Sequence, residues 1–163
     1  MGASDTGAHV YPAGKGLGDH VDERELRSCL REFVDASFEA LRCEAHDSYV
    51  RCCGSLQERR IRIHDDQATF ALHFASDHMC STLADEHEPV VIRTRASALL
   101  DLVDGVVSLE DALRADRIEV FASVADASRL FDALQIYVRG GIRCPSLPRL
   151  LSAFRASIAR EEC

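Results

Sequence analysis

Histidine and acidic side chains gather in the middle of this 163-residue sequence, and these residue types carry proton transfer and metal binding. Asp77 precedes His78, and because an acidic neighbour raises the basicity of an imidazole, the pair could act as a general base or a metal ligand. His73 differs from the other histidines because it alternates with apolar residues, so it is the first to test. We interpret the rest of the group as solvated loop residues, namely His64, His78, His87, Asp77, Asp85 and Glu86.

The cysteines invite a zinc interpretation around Cys43, His46, Cys52 and Cys53. Structural zinc sites use paired short spacings, and adjacent cysteines seldom both reach one ion, so we expect no metal. Residues 1–21 lack the basic start and apolar run of a secretory signal. With an odd cysteine count, this favours reduced thiols and a cytoplasmic location. The seven cysteines are Cys29, Cys43, Cys52, Cys53, Cys80, Cys144 and Cys163.

Tyr137 and Arg143 flank the glycine pair at 140–141. Together they could hold a ligand carboxylate, with the guanidinium as a bidentate donor and the phenol as a second donor, although a lone loop arginine is more often solvated. If the protein is an enzyme, acid–base work falls to His73 and Tyr137. The glycine-rich segment 14–18 lacks the spacing of a Walker loop, and we expect no cofactor.

Apolar residues at spacings of three and four predict a long first helix over residues 22–47, with Asp22 as its N-cap. Five of the nine glycines fall in residues 1–21, which we interpret as a flexible tail. The first helix could dock on the core, or it could pair with a partner or with its own copy in a homodimer.

Alternating polar and apolar residues then predict strands. Residues 60–64 and 69–74 form a hairpin around the polar turn 65–67, with further strands at 79–83, 90–93 and 117–122. Alternation places Phe70, Leu72 and Phe74 on one face and His73 on the other.

Helical periodicity returns after residue 94. Thr94 is the predicted cap of a short helix, Ser108 opens another through a capping box, and Gly140-Gly141 terminates a longer one. A last helix follows Pro148. Helices around mostly sequential strands indicate an α+β fold with a roughly five-stranded, mainly antiparallel sheet covered by helices, in one domain over 22–163.

Residues 59–155 resemble the sterol carrier protein type 2 family. The matching segments are Val91-Ile92-Arg93-Thr94, Leu99-Leu100-Asp101-Leu102-Val103-Asp104-Gly105, Ser108-Leu109, Asp111-Ala112-Leu113, Asp116-Arg117-Ile118-Glu119-Val120 and the helix with Asp132-Ala133-Leu134 and Tyr137. The resemblance implies that fold and a tendency to hold apolar ligands, with no catalytic signature. The family usually has glycine after the late strand, where this chain has Ala122-Ser123, so the turn there should differ.

A ligand site in such a fold lies between the sheet and the helices, lined by apolar side chains and a few polar groups. Our leading hypothesis is binding of an apolar or acyl-chain molecule, such as a lipid, a fatty acyl chain or a polyketide. The alternatives are an enzyme that tailors or cyclises such a molecule, and a helix-mediated interaction module. The candidate lining residues, each of which could equally be a core residue, are Phe70, Leu72, Phe74, Ile118, Val120, Phe131, Leu134, Tyr137, Arg143, Leu150 and Phe154.

Charge and hydropathy exclude other partners. The formal net charge of -8 argues against nucleic-acid binding, which needs a basic face to neutralise phosphates. The longest stretch without a charged residue runs only from Gln67 to Ser76, so we expect no stable membrane insertion.

Overall fold

The computed structural model describes residues 28–85 and 87–161, so the predicted tail and the predicted Asp22 cap lie outside the described residues. Within them, the chain forms six helices and five strands. In chain order these are α1 (Cys29–Glu44), α2 (His46–Ser55), β1 (Arg59–His64), β2 (Thr69–Phe74), β3 (Met79–Leu83), β4 (Val90–Thr94), α3 (Ala96–Val103), α4 (Leu109–Arg114), β5 (Ile118–Phe121), α5 (Val124–Gly141) and α6 (Leu147–Glu161).

All five predicted strands are present, in one sheet with the order β3-β2-β1-β4-β5. The α+β class and the mainly antiparallel sheet are therefore confirmed, with one exception to sequential pairing: β1 pairs with β4 in parallel. The parallel pair requires the chain to cross from the edge strand β3 past β2 and β1 to β4.

The crossover runs over the face of the sheet that points away from the helices. Arg60 and Arg62 alternate with buried Ile61 and Ile63, so their side chains lie on this outer face. Nε of Arg60 is 3.0 Å from the carboxylate of Glu88, whose side chain is only 4% exposed. Arg62 donates to the carbonyl of Asp85. The two arginines thus fasten the β3–β4 connection to the sheet.

Several predicted helix ends differ in the structure, and the helix predicted over 22–47 does not continue to residue 47: α1 ends at Glu44, and a separate α2 begins at His46. Ser28 caps α1 by accepting a hydrogen bond from the Arg31 amide at 3.0 Å. Thr94 does not cap α3: it is the last residue of β4, and the N-cap position belongs to Arg95, which makes no side-chain cap bond. Ser108 caps α4 as predicted, accepting from the Asp111 amide. The glycine pair at 140–141 forms the last two residues of α5, which ends at Gly141.

The turn at Ala122-Ser123 has a clear physical role. Ser123 adopts an extended backbone, accepts from the Asp126 amide at 3.1 Å and donates to its carboxylate at 2.8 Å. A serine here caps α5 and satisfies an amide that would otherwise lack a partner. Arg59 also donates to Asp126 at 2.7 Å, and these hydrogen bonds hold the pKa of this carboxyl below its usual range.

Candidate functional site

The interior beneath the helices falls into two apolar clusters. In the larger one, Phe70 and Phe74 of β2 are 0% and 1% exposed, and the ring of Phe38 in α1 meets Phe74 edge-on at 5.8 Å. The smaller one is centred on Ala98, Ala112 and Ile118 beneath α3 and α4. The β1–β2 half of the sheet is therefore closely packed.

The two clusters meet at residues that are less well covered. Ile92 of β4 and Leu99 of α3 pack against both clusters, yet both are only half-buried. Val120, which pairs with Ile92 across β4 and β5, is also half-buried. We call Ile92, Leu99 and Val120 the inter-cluster seam. It is an apolar strip between the β4–β5 part of the sheet and helix α3, and side chains fill it less completely than the β1–β2 half.

Helix α6 contacts both α1 and α3, and it borders this part of the interior. Phe154 of α6 stacks on Phe33 of α1, with ring centroids 4.5 Å apart and planes inclined by 12°. The next residue, Arg155, pairs with Asp104 at the C-terminus of α3, its Nε lying 3.3 Å from the carboxylate. Two consecutive residues of α6 thus contribute to an aromatic stack with α1 and to a charged pair with the end of α3.

A polar pair lies inside the helix layer. The Tyr137 hydroxyl donates to Oγ of Ser37 at 2.7 Å, and that hydroxyl donates to the Val34 carbonyl at 2.8 Å. The Tyr137 ring packs 5.1 Å from that of Phe38. Burial raises the pKa of Tyr137 to about 12, so its phenol stays protonated and remains a donor at neutral pH.

This raised pKa is directly testable. In the pH range where circular dichroism shows a native fold, the absorbance difference between the wild type and Tyr137→Phe should contain about a tenth of the full tyrosinate signal or less up to about pH 11. Because the folded pKa exceeds the ordinary value of 10.0, the associated stability is present below pH 10 and declines as pH rises towards 12. A difference spectrum that titrates near pH 10 in the folded protein would contradict this assignment.

The predicted site residues are distributed over different parts of the molecule. Phe70, Leu72, Phe74 and Phe154 are buried in the larger cluster, and Tyr137 packs against it. Ile118 is buried in the smaller cluster, with Val120 packed against it, while Leu134 and Leu150 are half-buried on α5 and α6. Phe131, which is 39% exposed, and Arg143 lie at the surface. A role in ligand binding stays a prediction for all of these candidate residues.

The two candidate acid–base residues are not brought together. His73 lies on the outer face of the sheet, between Arg60 of β1 and Cys80 of β3 in the register. Tyr137 lies in the helix layer, on the opposite side of the sheet. One substrate therefore cannot contact both side chains.

The other titratable groups show ordinary structural partners. His78 is exposed and lies 3.0 Å from Asp77, whose pKa the hydrogen bond from His78 lowers. Burial, with Arg62 and Arg93 nearby, lowers the pKa of His64. Over residues 28–85 and 87–161, no group of three His, Cys, Asp or Glu side chains is arranged to hold a metal ion.

Five cysteines of the described chain, Cys43, Cys52, Cys53, Cys80 and Cys144, are free thiols. Cys52 and Cys53 are buried, whereas Cys43 is exposed, so the residues considered for zinc lie in different environments. Burial raises the pKa of the Cys52 thiol to about 12, which keeps it protonated at neutral pH. This thiol contacts the Ala133 carbonyl at 3.6 Å and contributes to the packing of α2 on α5.

A polar cleft of about 540 Å³, which the sequence did not predict, lies where β1, β4 and β5 meet the start of α3. Two ion pairs lie in its lining: Arg95 is 3.1 Å from Asp66, and Arg93 is 3.6 Å from Glu119. The lining residues come from three separate segments of the chain, so no local spacing could have indicated the cleft. Its charged lining does not suit an apolar ligand.

No protein-family model matches the sequence, and no curated protein matches it. Solved structures do match. A structure described as the UbiJ-SCP2 ubiquinone synthesis protein aligns with a TM-score of 0.51 and 12% identity over 66% of this chain and 90% of that chain. The sterol carrier protein domain 2 of Helicoverpa armigera aligns with a TM-score of 0.49 and 13% identity, over 67% and 88%.

A crystal structure of sterol carrier protein 2 aligns with a TM-score of 0.47 and 14% identity, over 71% of this chain and 97% of that chain. The sheet with helices packed on its inner face defines an α+β protein with an apolar interior. The likeness to the UbiJ-SCP2 structure shows more narrowly that the chain has the sterol carrier protein type 2 fold, which confirms the resemblance at the level of the fold. No helix of the described chain is both long and apolar enough to cross a membrane.

Proposed function

We propose that the protein binds an apolar or acyl-chain small molecule between the sheet and the helices, along the inter-cluster seam. The observation that carries this proposal is the contrast in burial on the inner face of the sheet. Ile61 of β1 is 2% exposed and Phe70 of β2 is fully buried, whereas Ile92 and Val120 on the same face of the sheet are half-buried. Leu99 of helix α3, which packs with Ile92 and Val120, is half-buried as well. An inserted hydrocarbon chain would complete their burial.

The energetics favour a binding role that needs no catalytic group. Burial of a chain of about ten methylenes contributes on the order of 8 kcal/mol before ordering costs. The UbiJ-SCP2 protein is described as a ubiquinone synthesis protein, and that role is compatible with an apolar ligand for this fold. Arg155, next to Phe154 at the border of this region, could hold the carboxylate of an acyl ligand in exchange for Asp104.

The proposal can be tested with a pyrene-labelled fatty acid. We expect a saturable fluorescence rise on titration into the wild type, and mass spectrometry of the purified protein under native conditions should show co-purified lipid. Leu99→Trp fills the seam with a larger side chain and should lower the affinity by about tenfold or more. Val103→Trp is the matched control, because Val103 lies on the same helix but is 51% exposed.

Two outcomes would contradict the proposal. A wild-type protein that neither takes up the fatty acid nor carries lipid would exclude acyl-chain binding. Equal uptake by folded Leu99→Trp and Val103→Trp would place the ligand away from the seam. The enzymatic alternative gains no support from the geometry, because His73 and Tyr137 lie on opposite sides of the sheet.

A further inference from the structure

Helix α5 has apolar residues on two sides. On the inner side, Ala133 is 2% exposed, and Gly140 packs against Ser48 and Leu41. On the outer side, four apolar residues remain exposed, and we call them the outer row: Val124 (91% exposed), Phe131 (39%), Val138 (48%) and Ile142 (78%), the last at the C-cap. A helix that is apolar on both sides is normally packed on both sides.

The outer row has the spacing of paired helices. Val124, Phe131 and Val138 are separated by seven residues, which is close to two helical turns. Half-buried Ala127 and Leu134 occupy the positions three residues after Val124 and Phe131. Apolar residues spaced alternately three and four residues apart along one side of a helix form the surface by which two helices pack together.

We propose that α5 pairs antiparallel with α5 of a second copy of this chain through the outer row. When two copies of α5 are placed side by side in opposite directions, the apolar positions of one copy coincide with those of the other. With a two-fold axis between Phe131 and Leu134, near the middle of α5, each apolar residue meets an apolar residue of the second copy. The layers are Val124 with Ile142, Ala127 with Val138 and Phe131 with Leu134, each occurring twice.

The polar residues beside the row suit the same arrangement. The flank of the row away from the protein body carries Ser128 and Gln135, which are neutral and would face each other across the two-fold axis. Asp132 and Arg139 lie further round the helix, so dimer formation does not require the desolvation of a charged side chain of α5. Antiparallel pairing also sets the two helix dipoles in opposite directions.

The area available sets the expected strength. Complete burial of the four outer-row side chains would cover roughly 400 Å² per copy, about half of the ~800 Å² per partner in a stable complex. We therefore expect a dimer that forms at tens of micromolar and dissociates on dilution.

Sedimentation equilibrium of the whole chain tests the proposal, with reductant present because Cys43 is exposed. The wild-type mass should rise from monomer towards dimer as concentration increases. Val124→Glu and Phe131→Glu should each weaken the dimer about tenfold or more by placing a carboxylate in an apolar layer. Because Val124 is 91% exposed, Val124→Glu should fold normally even if Phe131→Glu does not.

Val106→Glu is the matched control: Val106 is 74% exposed between α3 and α4, and this variant should dimerise like the wild type. A wild type that stays monomeric overturns the proposal. If that monomer sediments with phosphatidylcholine vesicles, the outer row binds a lipid surface instead of a second copy. A dimer that folded Val124→Glu leaves unchanged overturns it as well, because that dimer would use another surface.

Discussion

Replacing Phe154 with Ala is expected to lower the free energy of unfolding by about 3–5 kcal/mol. The ring is 4% exposed and stacks on Phe33 at 4.5 Å, so its removal loses buried apolar area, an aromatic pair and the packing of α6 on α1. Urea unfolding followed by circular dichroism measures the effect as a lower midpoint.

Phe121→Ala is the matched control for this change. Phe121 is 50% exposed, and the Arg93 guanidinium lies 4.9 Å from its ring centre. We expect a loss of about 1 kcal/mol or less. Equal midpoints for the two variants would show that α6 is not part of the cooperative core.

Replacing Gly140 with Ala is expected to destabilise the fold by about 1–3 kcal/mol, although Ala is the better helix former. A β-carbon at this position would lie 2.6 Å from Cβ of Ser48 and 2.7 Å from Cδ1 of Leu41. Both distances are too short for carbon contacts, so α5 would have to move away from α1 and α2. Thermal unfolding should show a lower melting temperature.

Gly54→Ala provides the opposite expectation within the same protein. Gly54 lies in α2, and a β-carbon there would meet nothing within 4 Å. The substitution should therefore stabilise the protein by about 0.5–1 kcal/mol, since it limits the unfolded chain. If Gly140→Ala also raised the melting temperature, the close contact of α5 with α1 and α2 would be wrong.

The strands could be predicted because each one has a covered and an uncovered side. In β1, Ile61 and Ile63 face the helices while Arg60 and Arg62 hold the crossover on the outer face, and this alternation is visible in the sequence. The parallel pairing of β1 with β4 was not visible, because alternation records which face a residue occupies and not which strand lies beside it.

The helices show the same limit more strongly. The apolar pattern of α5 predicted its position along the chain, but it could not say which of two apolar sides packs on the core. Phe131, expected from sequence to line a ligand site, is exposed on the outer row, whereas Tyr137 is in the helix layer. The choice depends on α1 and α2, which contact the inner side through Leu41 and Ser48.

By itself, the sequence determined the α+β class, the five strands, the capping serine at 108 and the apolar character of the interior. These features follow from the pattern of residues within each segment, and that pattern does not depend on which other segments pack against it. Only the tertiary structure decided that the apolar interior divides into two clusters, with Ile92 and Leu99 half-buried between them. The completeness with which a side chain is buried depends on residues distant in the chain, and no local pattern records it.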